Sequence, residues 1–175
     1  LFREHYGHDD PETRQRLLRH VGADRPSEQA SALVGHALFG NGTLAFAEAR
    51  AALERPVLLY RFDWAPTASP FGACHCIELP FVFGTAREFA GAPMLRGGDP
   101  DEMEYLSSLV RRTWIDFIRT GNPGQSMPSD FPTWPHATTD RKPVLHFDSV
   151  CRVEYEQPDT RDWQATGDID DAGDR

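Results

Sequence analysis

Lysine is almost missing from this chain. Lys142 is the only one, and every other basic side chain is arginine, a bias that points to a GC-rich bacterial source. Basic residues of any kind are in deficit, 18 against 27 acidic, for a net charge of −9. A nucleic-acid binder needs a basic patch to neutralise phosphates, so no nucleic-acid partner is expected. No apolar run approaches the roughly 20 residues that a membrane-spanning helix needs, and no membrane partner is expected either. Cysteine is scarce: Cys74 and Cys76 are too close to bridge each other easily, and Cys151 is far away in sequence. The three read as reduced thiols, which favours a cytoplasmic over a secreted setting. A starting Met and a signal peptide are both lacking, and the opening "LFREHYGHDDPE" reads as mid-protein. No internal repeat or linker is visible. Apolar residues make up only 39% of the chain, with 14 Pro and 14 Gly. A length of 175 residues suggests one domain, but one that leans on further sequence for its core.

What is present has mixed periodicity. "DDPETRQRLLRHVG" predicts a helix capped by Asp10, opened by Pro11 and stopped at Gly22. A second helix is expected after Ser27, broken at Gly40-Asn41-Gly42. A third runs from about Thr43 to Glu54, with Phe46, Ala49 and Leu53 facing inward. Then the pattern changes. "PVLLYRF", residues 56–62, is a short apolar run of β-formers and reads as a strand buried on both faces. "APTASPFGACH" follows as an irregular loop leading from that strand's carboxyl end to His75. In open α/β sheets that end is where ligand chemistry is held. A long helix is expected from Pro100, capped by Asp99, with Glu102 as a capping-box acid and Gly121 and Pro123 ending it. Met103, Leu106, Val110, Trp114 and Phe117 form its core stripe. "PVLHFD" and "CRVEYE" read as two late strands, and "GDIDDAGDR" within residues 166–175 as an acidic, disordered tail.

The candidate chemistry sits in "GACHCIELPFVFG", residues 72–84. A metal site does not fit, because Cys74, His75 and Cys76 are consecutive and neighbouring side chains point to opposite sides of extended backbone. Thiol catalysis does not fit either, since His75 points away from both thiols on such a backbone. Two readings of His75 stay open on spacing alone. It is the base of a Ser-His-acid triad, or a structural histidine bonding a loop carbonyl. His5, His8, His20, His36, His136 and His146 have no motif around them and read as surface or structural.

The order of "PVLLYRFDW", "GACHCIELPFVFG", "WIDFIRTGNP" and "FPTWP" resembles the type-B carboxylesterases, which include para-nitrobenzyl esterases and cholinesterases. The likeness runs from about Asp10 to "RDW" at 161–163. It implies an α/β class, the C-terminal part of an α/β-hydrolase fold over residues 1–165, made of late sheet strands and packing helices. It implies that His75 is the triad base, that Glu78 is a buried carboxylate beneath the histidine loop, and that Phe71 helps line the substrate pocket. It implies a carboxylic ester as the small-molecule substrate, with no metal and no organic cofactor. The pattern is incomplete, however. No Gly-x-Ser-x-Gly elbow and no early Gly-Gly oxyanion stretch occur. The expectation is therefore a fragment, inactive alone, whose serine and acid come from the remainder of the same polypeptide. The alternative is a non-catalytic, hydrolase-like binding or interaction module.

Overall fold

The structure, a computed structural model, describes Gln15 and residues 35–156. The expected helices at 10–22 and after Ser27 fall largely or wholly outside these residues. So do "RDW", the acidic tail, His5, His8 and His20. The chain divides into two compact units. The described part of the first is residues 35–57 and 138–140, and the second is residues 58–137 and 141–156.

In the first unit a π-helical turn, His36–Gly40, runs directly into helix α1, Asn41–Ala52. The expected break at Gly40-Asn41-Gly42 does not occur. Glycine costs a helix about 1 kcal/mol relative to alanine but does not forbid it, and Gly40 has helical angles (φ −62, ψ −49). The inward face is also corrected. Phe46 and Leu53 are 67% and 72% exposed, whereas Ala47 is buried. Helical period defines which residues share a face, not what that face meets.

The second unit holds a three-stranded sheet in the order β1 (Leu59–Phe62), β2 (Lys142–Phe147), β3 (Arg152–Glu156). β1 and β2 are parallel, with Leu59 opposite Val144 and Phe62 opposite Phe147. β2 and β3 are antiparallel, Leu145 facing Val153. The middle strand is buried at all six positions, as expected where both neighbours and both faces are covered. β1 is shorter than the 56–62 run, and it is not buried on both faces: Leu59 is enclosed but Tyr60 and Arg61 are exposed.

Against the sheet lie a short helix α2, Leu79–Phe83, and a long helix α3, Pro100–Thr120. The start of α3 follows from its sequence. Asp99 accepts hydrogen bonds from the backbone N–H groups of Asp101 (3.0 Å) and Glu102 (2.8 Å), and Pro100 opens the first turn. Gly121, at φ 74, ends it. Met103, Leu106 and Val110 are buried in a core shared with Trp64, Ile77, Phe81, Leu95, Leu145 and Phe147. Each such large apolar side chain contributes about 1.5–3 kcal/mol by leaving water. The stripe opens further along, where Trp114 and Phe117 remain 36% and 46% exposed. Among the described residues no helix is long and apolar enough to cross a membrane.

Candidate active site

The loop carrying His75 leaves the carboxyl end of β1 and enters α2. Its backbone is closed by local turns. The Cys74 N–H donates to the Gly72 carbonyl (2.9 Å), Ile77 N–H to the Cys74 carbonyl (3.1 Å), and Leu79 N–H to the Cys76 carbonyl (3.2 Å). Ile77, 1% exposed, pins the far side of this loop into the core. His75 itself is exposed, as are Phe71 and Gly72, while Cys74 and Cys76 are half-buried. A solvent-facing imidazole on a tethered loop can reach a reacting group and exchange protons with it.

The rest of the motif anchors the loop. Phe81 is fully buried, its ring 4.9 Å from Phe62 and 5.0 Å from Trp64. Its carbonyl accepts the Ser107 hydroxyl of α3 at 2.9 Å. Gly84 closes α2 in the left-handed region, φ 68, with the Arg111 side chain packed over it.

Glu78 stands at the start of α2, half-buried and without a side-chain capping bond. The sequence expectation was a buried carboxylate, so its enclosure is only partial. Its charge nevertheless reaches the surroundings. Although Tyr60 is 39% exposed, partial desolvation pushes its phenol up, and the nearby Glu78 carboxylate adds to this. Burial also pushes the Cys74 thiol up, against an opposing backbone hydrogen bond, and Cys76 and Glu78 add smaller upward contributions. A raised thiol is mostly protonated near neutrality and is a poor nucleophile. Cys151 is raised by burial in the same way. Among the described residues no group of three His, Cys, Asp or Glu could hold a metal ion.

One apolar pocket of about 130 Å³ lies between β1 and the C-terminal half of α3. Tyr60, Trp114, Phe117, Trp134 and Phe147 wall it, and none of His75, Phe71 and Glu78 does. Tyr60 meets Trp114, Trp134 and Phe147 edge to face at 6.3, 6.5 and 5.6 Å.

His146, which reads from sequence as surface or structural, is enclosed by charged partners. It is 5% exposed in β2, with Nδ1 2.5 Å from Asp63 Oδ2 and Nε2 3.8 Å from Glu154 Oε2. Asp63 also faces Arg61 (3.1 Å) and Arg152 (3.7 Å). This cluster ties the end of β1 to β2 and β3. Both ring nitrogens face carboxylates, so neither is left for a nucleophile, and His146 is structural.

The model of the carboxylesterase family matches residues 12–163. A para-nitrobenzyl esterase of Bacillus subtilis is 35% identical over 118 residues, 67% of this chain and 23% of its own length. A phenmedipham hydrolase of Pseudarthrobacter oxydans is 36% identical over 65% of this chain and 22% of its own. Among solved structures, a thermophilic PNB esterase has a TM-score of 0.68 at 28% identity, covering 93% of this chain and 31% of that one. A Geobacillus stearothermophilus carboxylesterase has a TM-score of 0.66 at 28% identity, covering 85% and 30%. The chain thus spans between a fifth and a third of the length of these relatives. Its α/β arrangement is that of the α/β-hydrolase fold, and its strands and helices are late sheet strands with their packing helices.

Proposed function

The chain belongs to the carboxylesterase family, and from that premise we propose that it carries the general base of a serine carboxylic-ester hydrolase. His75 accepts the proton of a serine hydroxyl as the oxygen attacks the ester carbonyl. It returns that proton to the departing alcohol as the acyl-serine forms. It then takes a proton from water as the water oxygen attacks the acyl carbon, and returns that proton to the serine oxygen as the acid leaves. Glu78 sits behind the loop and holds its electrostatic environment, and Phe71 lies at the substrate side. No metal or organic cofactor enters these steps.

The observation that carries the proposal is the placement of an exposed His75 on a tethered loop at the carboxyl end of a parallel strand. The serine, the acid and the oxyanion donors are assigned to further polypeptide, because no nucleophile elbow occurs in these 175 residues. Residues 1–165 are then one part of the hydrolase domain. The exposed apolar side chains of Leu79, Phe83, Ile115 and Ile118 fit that assignment, since a covering surface would bury them.

Hydrolysis of p-nitrophenyl acetate tests the reading. The chain alone is expected to match its own His75→Ala variant. In the complete esterase, His75→Ala is expected to lower kcat by about 10³-fold or more. Activity of the isolated chain above the variant would refute the division of labour. Full activity of the variant esterase would refute the role of His75, and a complete protein with no esterase activity at all would leave a binding module as the better reading.

A further inference from the structure

Two non-glycine residues among those described have left-handed backbone: Glu54 (φ 53) and Cys76 (φ 69). Glu54 follows the end of α1, where such a conformation is common. Cys76 has no such excuse. It lies immediately after His75, at the corner of the turn closed by the 3.1 Å bond from Ile77 N–H to the Cys74 carbonyl. His75 and Cys76 are the two central residues of that turn, and His75 is not at positive φ. A positive φ at the second central residue alone defines a type II turn, whose second corner favours glycine or asparagine. Cysteine there is strained, and such strain persists only where the surroundings over-determine it. They do so here. Ile77 is 1% exposed, Cys74 packs against the core, and the Cys76 carbonyl accepts Leu79 N–H at 3.2 Å.

Building on the proposed catalytic role of His75, we propose that Cys76 is its positioning residue, acting through its left-handed backbone and not through its thiol. The alternative with φ negative at both corners is a type I turn. The first corner of an ideal type II turn has ψ of about +120° and that of a type I turn about −30°, so the change turns over the peptide between His75 and Cys76. The imidazole would then leave the loop in a different direction. A side chain that resists positive φ at position 76 therefore misdirects the base without touching substrate.

The test compares Cys76→Gly, Cys76→Ala and Cys76→Val in the complete esterase. It reads kcat and KM on p-nitrophenyl acetate together with the thermal unfolding midpoint. Glycine and alanine are expected to keep kcat within about twofold, because the thiol is not used, and valine to lower it about tenfold or more at unchanged KM. The midpoints should fall in the order glycine, alanine, valine. Alanine lowering kcat as far as valine would overturn the backbone role in favour of the thiol. Valine with native kcat would overturn the positioning role. If valine prevents folding, glycine against alanine decides: a higher midpoint for glycine supports the strained turn, and a lower one overturns it. The midpoint order does not depend on activity. It therefore separates failure of the turn from failure of the catalytic reading, which full activity of His75→Ala would reveal.

Discussion

Replacing Gly84 by alanine isolates what the end of α2 contributes to stability. Gly84 has φ 68 and ψ 30, a region that costs an L-residue roughly 1–2 kcal/mol. An added Cβ would lie 2.8 Å from Arg111 Nη1 and 3.0 Å from Arg111 Cδ, so that side chain must move. The displaced guanidinium is partly exposed, and its 3.6 Å ion pair with Glu104 is worth only about 0–1 kcal/mol. Alanine also restricts the unfolded chain, which offsets about 0.4–1 kcal/mol. The net expectation is a loss of about 1–2 kcal/mol, dominated by the backbone. With a urea dependence of about 2 kcal/mol per molar, the midpoint falls by roughly 0.5–1 M. Tryptophan fluorescence reports it, because Trp64 is 2% exposed in the core that α2 helps to close. Repeating the substitution in an Arg111→Ala background removes the steric part and leaves the backbone part. A Gly84→Ala chain as stable as the native one in both backgrounds would refute the reasoning, since the left-handed cost would then be absent.

Two further predictions concern α3. Asp99→Ala removes the acceptor for the Asp101 and Glu102 N–H groups and should cost about 1 kcal/mol. That lowers the thermal midpoint by about 2–4 °C, and no change in calorimetry would contradict the cap. Near the other end, the Asp116 carboxyl is held below its ordinary value of 3.8, first by the Ser126 hydroxyl and then by the Ser126 backbone N–H. Because the folded value is depressed, this stabilisation is present above 3.8 and is lost as pH falls from there through the folded value. Ser126→Ala should raise the Asp116 titration midpoint toward 3.8 in a carboxyl NMR titration. An unmoved titration would show that the hydroxyl is not the cause.

Much of the local structure was legible because its causes are local. Asp99, Pro100 and Gly121 mark the ends of α3 by satisfying or releasing backbone groups within one turn. The two late strands announce themselves by composition and lie within a residue of the expected positions. The "GACHCIELPFVFG" segment identified the family, since so long a pattern of fixed residue types is not matched by chance.

What faces what was not legible. Phe46 and Leu53 share a helical face, yet that face is open, and the Trp114–Phe117 half of the α3 stripe is partly open too. β1 finds its parallel partner β2 some 80 residues away (Leu59 with Val144), and no local signal encodes that pairing. The same pairing buries His146 against Asp63 and separates it from His75 in role, although as sequence the two differ only in their flanking motif. Cys76 shows the limit most sharply. Its own propensity argues against a left-handed backbone, and only the packing of Ile77 and Cys74 on either side imposes one. The sequence by itself determined the ends of α3, the late strand-forming runs and the family. The tertiary structure alone decided which side chains are enclosed and how the loop around His75 is bent, because burial and strain depend on neighbours that chain order does not bring near.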